Sequence, residues 1–274
     1  MPAVKASRVS KSKLKQTLRR SSTRRALTTN EGQQLKKNSK LLPLVERTNA
    51  LSIEEFISRY IPTEPLKHTL IWRPKENHDQ ANKEKPQTEM HCIIDVFSAS
   101  TIPTEEFDTC FNLIKETSED AYRASSWGWF PQRKRKEMRL PDMKYLIERR
   151  SQEGPPEITT EDGLSFPRGE ILAFLSFMVT YEDGKEVIYC YELHVAPKAQ
   201  RQGLGLRLMT LLESIGNKVG LEAAMLSCFR SNQGALRFYE SIGYREDESS
   251  PRPTRLRRGE VQPDYYILSK QLER

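Results

Sequence analysis

The stretch from Val187 to Gly205, VIYCYELHVAPKAQRQGLG, constrains the fold more than any other part of the chain. Its first half reads as a half-buried strand, and Pro197 breaks it. Two glycines one residue apart then open a helix whose apolar residues recur as Leu204, Leu208, Leu211, Leu212, Ile215 and Val219. A strand feeding a helix with one apolar stripe must lay that stripe on a sheet, which selects an α/β architecture. Glycine at a helix start costs stability relative to alanine, so Gly203 and Gly205 imply a ligand pressed against the backbone. The helix N-terminus and Arg201 would face negative charge on that ligand. No Gly-Lys-Ser/Thr follows, so the string is not a P-loop, and it lacks the third glycine of a dinucleotide fingerprint. A ligand-free glycine turn is the competing reading of so short a string.

Around this segment the pattern predicts a short helix at 51–61, opened by Ser52 and stopped before Pro62, then a first strand over Met90 to Phe97. A long helix follows, capped at Thr104, with Phe107, Phe111, Ile114 and Tyr122 on its apolar side. After a basic stretch from Gln132 to Arg139 comes a strand over Met143 to Glu148. Ile171 to Tyr181 then hairpins through Asp183-Gly184 into Glu186 to Val195. Strands at Ala223 to Phe229 and Tyr265 to Lys270 complete a mixed central sheet with helices on both faces. Val187 to Val195 and Ala223 to Phe229 should run parallel and diverge, opening a ligand site at their carboxyl ends. Glu246 to Glu260, charged and proline-containing, is expected to lie over that cleft as a loop.

Gln200-Arg201-Gln202-Gly203-Leu204-Gly205 resembles the Gln/Arg-x-x-Gly-x-Gly/Ala signature with which the GNAT superfamily grips the pyrophosphate of acetyl-coenzyme A. Asn232 to Tyr239 followed by Ile242-Gly243-Tyr244 is similar to the second half of the same fold. More narrowly, Tyr189-Cys190-Tyr191-Glu192, Ser126-Trp127-Gly128-Trp129 with Lys134 to Met138, and Asp264 to Ser269 resemble the D-type N-alpha-acetyltransferases (NatD). That family acetylates the N-terminal serine of histones 4 and 2A. The resemblance covers roughly 51–272, and implies a GNAT fold over 41–274.

It also implies roles. Leu193, His194 and Val195 present backbone to the coenzyme, as do Arg201, Gln202, Gly203, Leu204, Gly205 and Leu206, while Asn232 bonds its arm. Tyr122, Trp127, Thr180, Tyr181, Glu182, Tyr191, Ser227, Ser249 and Tyr265 are nominated for the peptide. An α-amine has a pKa of ~7.7–8.0 against ~10.4 for lysine, so its base has a modest task. Glu192 is the candidate base, with Tyr191 beside it; both reach one cleft only if the strand bulges there. His194 is the lesser candidate base. Cys190, with apolar neighbours, reads as a buried hydrophobe rather than an acyl carrier, and Tyr239 sits where many GNAT enzymes carry an acid. No metal is expected.

Charge divides the chain. Residues 1–40 hold 12 Lys and Arg against the single acid Glu31, a net of +11, which leaves −4 for the remainder of a chain at +7. Such a tail is expected to be disordered, and to serve as a nuclear address, as an anchor to nucleic acid or the ribosome, or as a solvated end. The four cysteines lack metal or disulfide spacing, and no apolar run is membrane-length, so a reduced compartment, nucleus and cytoplasm, is expected. Histone N-terminal peptides are the expected partners. The alternatives are another GNAT activity, on other N-termini, lysines or small amines, and a non-enzymatic binder of nucleic acid or ribosomes.

Overall fold

The computed structural model describes residues 42–73, 88–256 and 259–273. The basic tail lies outside them, so its expected disorder is not addressed. Among the described residues two short helices come first, α1 (Leu44–Asn49) and α2 (Ile53–Tyr60). Ser52 opens α2 with a capping box, its hydroxyl accepting from Glu55 N while the Glu55 carboxylate accepts from Ser52 N. Strands β1 (Lys67–Ile71) and β2 (Glu89–Ser98) precede the long helix α3 (Thr104–Ala124) and the basic helix α4 (Pro131–Met138). Pro103, not Thr104, occupies the cap of α3, and no side chain caps it.

β3 (Lys144–Arg150) is followed by the small hairpin of β4 (Glu157–Thr159) and β5 (Ser165–Pro167). β6 (Ile171–Glu182) and β7 (Lys185–Val195) form the long hairpin, and its turn residues Asp183 and Gly184 have φ of +47° and +83°. Two consecutive left-handed residues match the right-handed twist of the strands, as the Asp-Gly pair predicts. Next come α5 (Leu204–Val219), β8 (Ala223–Phe229), α6 (Gln233–Ser241) and β9 (Arg245–Glu246). The segment after β9 carries a hairpin of β10 (Thr254–Leu256) and β11 (Gly259–Val261) before β12 (Tyr265–Gln271).

Eight strands form the sheet in the order β1-β2-β3-β6-β7-β8-β12-β9. All pairs are antiparallel except β7 with β8. Side chains alternate across it. Leu146, Leu175 and Phe177 pack with Phe56, Leu208, Leu212 and Leu236 of α2, α5 and α6 on one face. Tyr145, Ile147 and Phe174 pack with Phe107, Ile114 and Met138 of α3 and α4 on the other. The result is the mixed sheet covered on both faces that the sequence predicts.

Two irregularities position the site. Pairing between β7 and β8 ends at Cys190 with Leu226, although both strands run on, so they part beyond that point. On its other edge β7 slips register against β6, Glu192 opposing Ser176 and Cys190 opposing Phe177, which leaves Tyr191 as the extra residue of a bulge.

Candidate active site

The bulge turns Tyr191 and Glu192 toward the same cleft, a cavity of about 290 Å³ between the parting strands and helices α3 and α4. Tyr122, Trp127, Glu192, Ser227 and Tyr265 also line it, as do Leu193, His194, Asn232 and Tyr239. Aromatic rings make most of one wall. The Trp127 ring lies 4.9 Å from Tyr265 and 5.3 Å from Phe229, and Tyr122 lies 5.1 Å from Phe229. Trp129 is buried and stacks on Phe111 at 5.8 Å, so of the two tryptophans it is the core anchor and Trp127 the more open wall.

Glu192 sits at the centre of a buried polar cluster. Its Oε1 accepts from Lys134 Nζ at 2.7 Å and from the Tyr122 hydroxyl at 3.2 Å, and its Oε2 lies 2.7 Å from His194 Nε2. Lys134 also reaches the Tyr122 oxygen at 2.8 Å and Glu137 Oε2 at 3.0 Å. His194 Nδ1 lies 2.6 Å from Thr117 Oγ1, which donates to Leu113 O at 2.7 Å. Both ring nitrogens of His194 are therefore engaged. Burial alone would raise the Glu192 carboxyl, but Lys134 and His194 overcome it and hold the group well below the usual carboxylate range. Lys134 is correspondingly held above its ordinary value, its own desolvation outweighed by Glu192 and Glu137. Burial pushes the Cys190 thiol far up, which removes it as a nucleophile, and keeps the Tyr239 phenol protonated.

The glycine loop runs into α5 beside β7. Gly203 caps the helix at φ +86° and Arg201 is left-handed at φ +69°. A Cβ built at Gly203 meets nothing within 4 Å, so it is the backbone conformation that requires glycine there. Successive turns of this kind aim backbone N–H groups at one point, and the first turn of α5 adds its own. Gln202 ties the loop to the end of β1, accepting from Arg73 N at 2.9 Å and donating to Arg73 O at 2.8 Å. Gln202, Gly203 and Leu206 border a second cavity of about 390 Å³ on the α5 side. Asn232 commits its side-chain oxygen to Ala235 N at 3.0 Å as the cap of α6.

Some expected residues face elsewhere. Tyr181 turns to α1 and donates to Glu46 Oε2 at 2.9 Å, on the sheet face opposite the cleft. Ser249 donates to Asp247 Oδ1 at 2.6 Å within a turn. Thr180 and Glu182 lie at the far end of the β6–β7 hairpin, outside the cleft wall. Val195 and the loop from Arg201 to Leu206 are likewise not part of that wall. Lys134, Glu137, Thr117 and Tyr189, by contrast, join the cluster or the cleft although none of them is among the residues expected there from the sequence. Lys134 stands four residues before the buried Met138, and that spacing was the available signal that it faces inward. Among the described residues, no group of three or more His, Cys, Asp or Glu side chains is placed to hold a metal ion, and no helix is long and apolar enough to cross a membrane.

A parting strand pair thus lies beside a glycine-capped helix, with a buried carboxylate between. Residues 118–244 match the model of the Acetyltransferase (GNAT) family. N-alpha-acetyltransferase 40 of Saccharomyces cerevisiae is 32% identical over 103 residues, covering 31% of this chain. The chain thus spans only 36% of that relative. Among solved structures, the ribosomal-protein-S18-alanine N-acetyltransferase of Escherichia coli is 19% identical, covering 66% of this chain and 96% of that one at a TM-score of 0.42. Spermidine N-acetyltransferase of Vibrio cholerae, solved with CoA and spermine, is 11% identical, covering 65% and 95% at a TM-score of 0.44.

Proposed function

We propose that this chain is an N-alpha-acetyltransferase of the NatD type, moving acetyl from acetyl-CoA to the N-terminal amine of histones 4 and 2A. The observation that carries this reading is the placement of Glu192, an ionised carboxylate buried in an aromatic cleft where β7 and β8 part. The left-handed loop at Arg201 and Gly203 fits a pyrophosphate, and the backbone of β7 beyond Cys190, unpaired on its β8 side, fits the pantetheine arm. The similarity to N-alpha-acetyltransferase 40 supports an N-terminal amine as acceptor.

In the reaction the amine attacks the thioester carbonyl directly, within a ternary complex. The N–C bond forms, the C–S bond breaks, the nitrogen's surplus proton goes to Glu192 directly or through one water, and the thiolate takes a proton from Tyr239. An α-amine with pKa ~7.7–8.0 is partly neutral at physiological pH, so a weakly basic carboxylate suffices to receive a proton that bond formation has made acidic. Trp127, Tyr122 and Tyr265 suit a small cationic Ser-Gly-Arg-Gly terminus, with Glu137 at the rim. Such a substrate places the protein in nucleus and cytoplasm. Incubation with acetyl-CoA should acetylate a Ser-Gly-Arg-Gly peptide at its α-amine. Modification of lysine side chains or a polyamine with that peptide ignored would refute the assignment.

A further inference from the structure

Glu192 is more tightly held than a proton acceptor needs to be. The Lys134 side chain and the Glu192 side chain are each 7% exposed and lie 2.7 Å apart. Charges that far from water persist only when paired, and each group supplies the other with an opposite charge. Lys134 is fixed from behind as well, by Glu137 at 3.0 Å and by the Tyr122 ring, whose centroid is 4.6 Å from Nζ. His194 on β7 and the Tyr122 hydroxyl on α3 complete the shell of Glu192. The remaining titratable neighbours, Tyr145 on β3, Cys190 on β7 and Tyr239 on α6, are kept neutral by burial. Lys134 is thus the lysine that pairs with Glu192, and His194 is the second group that holds it.

We propose that Lys134 is a positioning residue that holds Glu192 as a carboxylate throughout the working pH range, and so restricts the enzyme to amines that lose a proton unaided near neutrality. The proposal rests on the acetyltransferase reading above. A carboxylate clamped by an ammonium accepts a hydrogen bond well but retains a transferred proton poorly. The pool of reactive nucleophile is then set by the amine itself, which favours α-amines over lysines by about two to three powers of ten near neutral pH. Without Lys134, His194 alone would oppose burial, and the Glu192 carboxyl should rise toward the working range.

The test is kcat/KM for a Ser-Gly-Arg-Gly peptide between pH 5 and 8.5, using the full chain, Lys134→Met and Lys134→Arg, with acetyl-CoA binding and circular dichroism as folding controls. In the unaltered protein, kcat/KM should fall about tenfold per pH unit below the amine pKa, since one proton is involved. Lys134→Met should steepen this toward about a hundredfold per unit as a second proton, on Glu192, enters, and Lys134→Arg should restore the tenfold slope. A tenfold slope in Lys134→Met would overturn the proposal. Carbon-13 NMR of the unaltered protein decides the question even where Lys134→Met does not fold. The Glu192 carboxyl signal, assigned by its loss in Glu192→Gln, should not titrate between pH 5 and 8, and a midpoint in that range would overturn the proposal. Failure of the unaltered protein to acetylate any amine would instead sink the functional reading, while the NMR result would still decide the charge of Glu192.

Discussion

Two buried lysines have opposite fates, and the difference lies in their partners. Lys134 meets carboxylates, whereas Lys144 meets the Asn49 side-chain oxygen and the Asp142 carbonyl, each at 3.3 Å, and the Phe56 ring at 4.9 Å. Burial pulls Lys144 down to about 8, with the Asp142 charge only partly opposing. A lowered lysine pKa means that the unfolded chain binds more protons between about 8 and the ordinary 10.5, so this group favours folding increasingly as pH rises through that window. Relative to Lys144→Met, the protein should gain on the order of 2 to 3 kcal/mol from pH 8 to 10.5, measured as the difference between urea melts of the two proteins. A gap that stays constant with pH would refute it. Glu192→Gln should lower kcat by about 10² to 10⁴ with little change in acetyl-CoA affinity by calorimetry, and the reverse pattern would move the base elsewhere. Glu192 was legible in sequence because it follows an unusual Tyr-Cys-Tyr run beside the glycine loop. Lys134 was not, because in a string as basic as PQRKRKEM its spacing from Met138 is the one inward-facing signal, and tertiary packing decides it.

At the level of elements, the glycine loop depends on two features of unlike origin. Gly203 is required by its left-handed backbone, while Gln202 acts through its side-chain amide, which hydrogen-bonds both backbone groups of Arg73 at the end of β1. Gln202→Ala should untie the loop and raise KM for acetyl-CoA severalfold with kcat nearly intact, whereas Gly203→Asp should abolish coenzyme binding by strain and charge together. Steady-state kinetics and calorimetry distinguish them; a Gln202→Ala variant with unchanged KM would show that the loop holds its shape alone. The hairpin, the parallel β7–β8 pair and its divergence were readable because turn chemistry and period are local signals. β1 was not, since KHTLI is a short, half-polar edge strand. β3 was placed but cut short at Glu148, because KYLIERR ends in charges that look solvent-facing. All seven of its residues are buried, Arg149 against Asp95 and Glu106 at 2.7 Å each and Glu148 against His68 at 3.0 Å.

Over the whole molecule the net charge of +7 is the sum of two unlike parts, +11 in residues 1–40 and −4 in the rest. The cleft, its buried ion pair and the glycine loop all fall in the second part. Peptide turnover and long-range electrostatics should therefore separate. The tail's cations would draw the protein to polyanions such as nucleic acid through counterion release, a contribution that weakens steeply with salt, while binding of a short peptide in a cleft lined by aromatic rings depends on it little. Deleting residues 1–40 should therefore leave kcat/KM on a free Ser-Gly-Arg-Gly peptide within about twofold, and should remove salt-sensitive retention on a DNA or RNA matrix. Kinetics with free peptide and retention between low and moderate salt give the two readouts. Loss of peptide turnover on deletion would make the tail part of the catalytic unit. Unchanged retention would assign the nucleic-acid affinity to basic residues of the folded part.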